Sequence, residues 1–334
     1  MSATAAARPW HGATGIGSLP GTDPAEAVRV VLGELPDLPH LPELPGRGPH
    51  GDLTGRTAAL LAELPVDLQP TGWRLVARES RDGRRAHDLL SRDLDALEQA
   101  TQGQVPPMLK LQAAGPWTLA ATLELPRGER ALADHGAVDD LAGSLAEGLR
   151  RHLADVAQRL PGVRLVLQLD EPALPAVLRA GVPTASGFGR LRAPSPQRVR
   201  EVLALVLAVA DDTVVHCCAA EPPVELLVGA GAGALGLDAT LLTARDDEAI
   251  GVAVEQGCGL LLGAVPSRDT RLDLDVAAGH VRTLWRRLGF AHDRLPATVV
   301  VTPTCGLAGA SPAYAREALT ACVEVARRLG EEPE

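Results

Sequence analysis

The stretch Val163–Leu169, VRLVLQL, followed at once by Asp170-Glu171-Pro172, sets the reading of the whole chain. Its aliphatic run is of strand length, and an acidic pair closing it would be costly to bury without a use. The figure repeats downstream at Thr213–Val215, Ala234–Leu237, Gly259–Val265 and Ala297–Val301, each a short aliphatic run. Between and after these runs lie segments of helical period, Pro222–Val228, Asp246–Gln256, Val276–Leu288 and Pro312–Leu329. Alternation of this kind predicts successive βα units around a buried parallel sheet.

Upstream, Thr14–Gly17 and Met108–Ala114 read as further strands, and Pro24–Leu35, Thr54–Leu64 and Ala137–Leu160 as helices. Between Leu35 and Pro49 the sequence LPDLPHLPELPGRGP is interrupted too often by Pro and Gly for either, and reads as loop or edge structure. The candidates sum to about eight strands alternating with helices, which predicts an α/β fold of the (β/α)8 TIM-barrel type. The expectation is one domain over residues 1–334 with a Pro/Gly-rich insertion near its start.

The 334 residues carry 46% hydrophobic and 22% charged side chains with only 2% aromatic, so Leu, Val and Ala must build the core. A formal charge of −10 repels phosphate backbones and anionic lipid, which argues against nucleic acid and membranes as partners. No apolar run suits a signal peptide or approaches the ~20 residues of a membrane span, so a cytoplasmic location is expected. Five cysteines, Cys217, Cys218, Cys258, Cys305 and Cys322, are too few and too odd in number for a disulfide framework.

Asp170, His216 with Cys218, Asp238 and Cys305 all follow aliphatic runs. The C-terminal ends of parallel barrel strands converge on one rim, so these residues are expected to meet although they lie far apart in sequence. His216 and Cys218, two apart, share one side of an extended strand, whereas Cys217 points away and is expected to pack, as are Cys258 and Cys322. One N, two S and one O donor suit tetrahedral zinc better than magnesium or calcium, with Asp238 as the fourth candidate ligand. Singly, each residue is more simply a buried small side chain; together they bring a metal site level with that packing reading. Asp170 and Glu171 are candidates for holding an amine or moving a proton, against the competing reading of Asp170 as the N-cap of a helix opened by Pro172. Gly15–Pro20, GIGSLP, is a turn able to offer N–H groups and the Ser18 hydroxyl to a carboxylate.

These residues resemble the C-terminal catalytic barrel of the cobalamin-independent methionine synthase family, in the short form without an N-terminal barrel. The resemblance runs over nearly the whole chain and rests on IGSLPGT at 16–22, AGPWTL at 114–119, QLDEPAL at 168–174, VHCC at 215–218 and PTCGL at 303–307. It implies zinc on His216, Cys218 and Cys305, with Asp238 matching a glutamate ligand. It further implies that Ser18 receives the carboxylate of homocysteine, that Asp170 helps to bind its ammonium, and that Asp52 in HGDLTGR replaces another amine-binding carboxylate. The implied reaction is methyl transfer to the homocysteine thiol, giving methionine, from a methyl-folate or a methylated corrinoid protein. Two departures bear on the donor: Thr122 stands where the family places a folate-stacking tryptophan, and Ser267-Arg268-Asp269 where a proton-transferring histidine is expected. The alternatives are a corrinoid-linked methyltransferase of the uroporphyrinogen-decarboxylase type and a noncatalytic zinc or amino-acid binding barrel.

Overall fold

The computed structural model describes residues 10–331. Two short antiparallel strands come first, β1 (Val66–Gln69) and β2 (Gly72–Leu75). Six parallel strands follow in unbroken chain order: β3 (Met108–Ala114), β4 (Arg164–Asp170), β5 (Asp212–Cys217), β6 (Ala234–Asp238), β7 (Gly259–Val265) and β8 (Val299–Pro303). Helices join consecutive strands, the longest connection being His135–Arg159 between β3 and β4.

Side-chain alternation divides the sheet into two faces. Leu109, Leu167, Val215, Leu235, Leu260 and Val301 pack into clusters shared with the helices. Their neighbours Met108, Val166, Val214, Ala234, Leu261 and Val300 form a separate cluster with Trp10 and Leu38, neither of which is helical. The second set therefore fills the concave side of a curled sheet. Trp10 plugs it at the strand N-termini, lying where a Cβ on Gly259 would stand. Two residues further along each strand, the same face carries Lys110, Gln168, His216, Gly236, Gly263 and Thr302. The interior thus turns from apolar to polar along the strand direction.

The expected closed barrel of eight strands is not what forms: the sheet has six, curled in the manner of a TIM barrel. Thr14–Gly17 is not a strand. Its neighbourhood meets β8 at one bridge, Ala13 to Val301, and meets the Pro-rich segment at another, Ser18 to Glu43, while His40 bridges to Lys110 of β3. Proline explains the shortfall, because Pro36, Pro39 and Pro42 offer no N–H for a ladder. Leu38, Leu41 and Leu44 are nevertheless buried, so this stretch is an edge of the core and not a linker.

The expected helix Thr54–Leu64 is shorter, Leu53–Ala58, and Val224–Gly229 replaces Pro222–Val228. A helix not anticipated, Arg81–Ala100, starts at Ser80, whose hydroxyl accepts from Gly83 N, and buries Ala86, Leu90, Leu94 and Leu97 at helical spacing. Among the described residues no helix is long and apolar enough to cross a membrane.

Candidate metal centre

β4 and β5 run in register with Asp170 opposite His216, so the two side chains leave adjacent strands at the same height. His216 Nδ1 lies 2.7 Å from Asp170 Oδ1, both buried. The same Asp170 oxygen accepts from Gln168 Nε2 at 2.8 Å, and Gln168 also donates to the carbonyl of Ile16 at 2.9 Å. Asp170 is thereby committed to an imidazole and an amide, and no helix cap falls to it.

Cys218 follows β5 and Cys305 follows β8, and their sulfurs approach to 3.5 Å as free thiols. The hydrogen bond from Cys218 pulls Cys305 down to about 6, with the nearby His216 helping, while Cys218 itself is pushed far above the thiol range by the same contact and by burial. Cys217 is fully buried and raised to about 11 by desolvation, as a packing residue is. Among the described residues, no three His, Cys, Asp or Glu side chains already converge as a metal-binding group. The strand-end residues stand instead as two pairs, thiol with thiol and imidazole with carboxylate.

Other expected site residues are placed differently. Asp238 ends β6 half-buried, but its carboxylate accepts from Thr240 N at 2.9 Å and Thr240 Oγ1 at 2.6 Å, within its own turn. Glu171 points behind the sheet. It accepts from Trp117 N at 2.9 Å, Thr118 N at 2.8 Å and Thr118 Oγ1 at 2.7 Å, so it caps the helix Pro116–Thr122 from outside. Complete burial raises it to about 7, against the pull of those donors. Asp52 is likewise a cap, accepting from Gly55 N at 2.8 Å at the start of Leu53–Ala58.

Ser18 does reach the loop that carries Cys305. Its hydroxyl occupies the space a Cβ on Gly306 would need, one residue from Cys305, and its carbonyl accepts from Leu307 N at 2.8 Å. The strap Ile16–Ser18 rests on the polar layer of the interior. Lys110 Nζ donates to Ile16 O at 2.9 Å, and Gln112 fills the place of a side chain at Gly17.

Glu43, unremarked in the sequence, is the carboxylate beside this strap. Its N–H donates to Gly17 O at 3.1 Å and its carbonyl accepts from Leu19 N at 2.9 Å. Oε1 is buried and has no hydrogen-bond partner in the protein; Arg56 Nε stands 3.9 Å away. Gln112 Oε1 and Gln168 Oε1 are also buried acceptors without donors. Desolvation, reinforced by the charge of Asp170, raises Glu43 to about 7, and desolvation lowers Lys110 to about 8 against the attraction of Asp170 and Glu43. A partial signal for Glu43 existed: with Asp37 it is one of two carboxylates inside a Leu-Pro repeat whose leucines are all core, and the fold buries Glu43 while leaving Asp37 half-exposed.

No protein-family model matches the chain, and no curated protein matches it. Solved structures do. GH5_18 from Streptomyces cattleya in complex with Manb1-4GlcNAc aligns at 15% identity over 97% of this chain and 82% of that one, with a TM-score of 0.47. The Amycolatopsis orientalis BexX/CysO complex aligns at 13% over 100% and 97%, with a TM-score of 0.40. A B12-independent methionine synthase from Shewanella sp. W3-18-1, in complex with selenomethionine, aligns at 15% identity over 95% of this chain and 97% of that chain, with a TM-score of 0.63. At such identity the likeness is one of fold, and the fold this chain shares over nearly its full length is that of a B12-independent methionine synthase.

Proposed function

We propose that the protein is a zinc-dependent methyltransferase that moves a methyl group to the thiol of homocysteine, giving methionine, with a methyl-folate or a methylated corrinoid protein as donor. The observation that carries this reading is the pair of thiols 3.5 Å apart beside an imidazole anchored through Nδ1. Two sulfurs on one tetrahedral zinc at ~2.3 Å would stand about 3.8 Å apart, close to the spacing found. A histidine that gives its Nδ1 proton to Asp170 keeps the Nε2 lone pair for a metal, the carboxylate–histidine pairing common around zinc. The residues therefore suit zinc, with His216, Cys218 and Cys305 as ligands. Asp238, turned to Thr240, leaves the fourth position to the substrate.

A bound zinc ion supplies the Lewis acidity that makes a thiol a nucleophilic thiolate at neutral pH. The chain's own residues orient the rest. Ser18, packed on Gly306 beside Cys305, offers its hydroxyl to the substrate carboxylate. Glu43 and Gln112 present acceptor oxygens that lack donors, the arrangement an ammonium group satisfies. Lys110 feels the charges of both Asp170 and Glu43 and offsets them, so neither carboxylate is left alone in the interior. The segments bridged through Ala13 and His40 flank the curled sheet beside β8 and β3, and His216, Cys218 and Cys305 stand at the strand C-termini, where the active sites of barrel-like folds lie.

Zinc content and zinc X-ray absorption, with and without homocysteine, test the proposal. One zinc per chain whose sulfur coordination rises from two to three on adding the thiol is expected. A chain that takes up no zinc, or a shell indifferent to homocysteine, overturns it.

A further inference from the structure

A second concavity lies apart from the thiols: none of Ser18, Glu43, Asp170, His216, Cys218 or Cys305 lines it. It is a cavity of about 360 Å³ between the helix Pro116–Thr122, the start of the helix His135–Arg159 and the segment Arg190–Arg198. That volume falls within the ~300–1,000 Å³ of small-molecule sites. Trp117, Leu132, Val138 and Leu191 form an apolar wall, and Arg190, Arg192, Arg198 and His135 bring in cationic groups.

We propose that this pocket binds a small organic anion carrying more than one carboxylate or phosphate. The charge is out of keeping with its surroundings, since the chain as a whole is at −10. Of the three guanidinium groups, Arg198 is ion-paired to Asp139 and Arg190 donates one hydrogen bond to the Gly181 carbonyl, which leaves its charge uncompensated. Arg192 makes no ion pair or hydrogen bond among the described residues. Asp134, next to the lining residues Ala133 and His135, accepts from Gly136 N and Ala137 N at the head of its helix. Three arginines against Asp139 and Asp134 still leave a net positive charge in a partly apolar recess, where charge-assisted hydrogen bonds are stronger than in open water. A helix of 12 residues also begins here, at Pro196, and its N-terminus adds to that field. The cationic groups surround a concavity with an indole wall, and this geometry selects a small molecule with an apolar body over an extended polyanion.

Isothermal titration of the full chain at low ionic strength, with tricarballylate as a polycarboxylate and fructose 1,6-bisphosphate as a bisphosphate, tests the proposal. One equivalent of at least one of them is expected to bind, and the double variant Arg192→Ala/Arg198→Ala to weaken it about tenfold or more. Arg245→Ala, an exposed arginine outside the pocket, should leave it unchanged. Binding of tricarballylate alone assigns carboxylates, and of the bisphosphate alone, phosphates. If neither binds, or if the double variant folds normally by circular dichroism and binds as the parent does, the pocket is not an anion site.

Discussion

His216 and Asp170 are register partners on neighbouring parallel strands, and their side chains are joined by a hydrogen bond of 2.7 Å. The relationship changes what Asp170 is for. The resemblance casts it as an ammonium ligand, whereas here its carboxylate fixes the tautomer and direction of an imidazole. Asp170→Asn is expected to lower zinc affinity about 10–100-fold while preserving the fold, since partners of metal-ligating histidines contribute on that scale. Competition with a chromophoric chelator measures it, and an unchanged affinity would show that His216 is not a ligand.

Cys217 ends β5 buried in the core, whereas Cys218, just past the strand, meets Cys305. Cys218→Ser and Cys305→Ser should each lose zinc and methyl transfer together. Cys217→Ser should keep stoichiometric zinc and show its effect in thermal stability alone, because its side chain is sealed in the core. Metal analysis of the three purified variants decides this, and a Cys217→Ser protein lacking zinc would contradict it.

Glu43 and Asp52 are two carboxylates close in sequence with different expected consequences. Glu43→Gln should raise KM for homocysteine about tenfold or more, the loss of a charged hydrogen bond, yet leave KM for a simple thiol without an ammonium group unchanged. Asp52→Ala removes a helix N-cap and should cost about 1 kcal/mol of stability without a specific effect on KM. Steady-state kinetics with both thiols, set beside denaturation, distinguish these outcomes. Equal KM changes for both thiols would remove Glu43 from the ammonium site.

His152, on the buried side of the helix His135–Arg159, is lowered to about 4 by desolvation and by the charge of Arg56. A histidine whose folded value lies below its unfolded one stabilises the protein above the unfolded value near 6.5, and that contribution is lost as pH falls toward 4. The loss amounts to about 3 kcal/mol when complete. Urea denaturation of the parent and of His152→Gln between pH 7 and pH 4, a range spanning about the unfolded and folded values, should show a shallower acid decline in the variant. Parallel declines would mean that other groups control acid unfolding.

What the sequence by itself determined is the part governed by local pattern. Aliphatic runs such as Val163–Leu169 and Gly259–Val265 became strands because their period and length permit little else, and their chain-order pairing follows from the helices between them. The strand-end position of Asp170, His216, Cys218 and Cys305 was legible for the same reason. Tertiary structure decided the partnerships. Whether Asp170 faces a substrate or His216 depends on interstrand register, and whether Glu171 enters the site or caps Pro116–Thr122 depends on which side of the sheet one more residue falls. Asp52 and Glu43 exchanged places because a proline-rich segment has no period from which to read its facing, and only its packing against the Ile16–Ser18 strap and Lys110 turns Glu43 inward. The arginine pocket could not be read at all, since Trp117, His135 and Arg190–Arg198 become neighbours only when separate connections fold over the same end of the sheet.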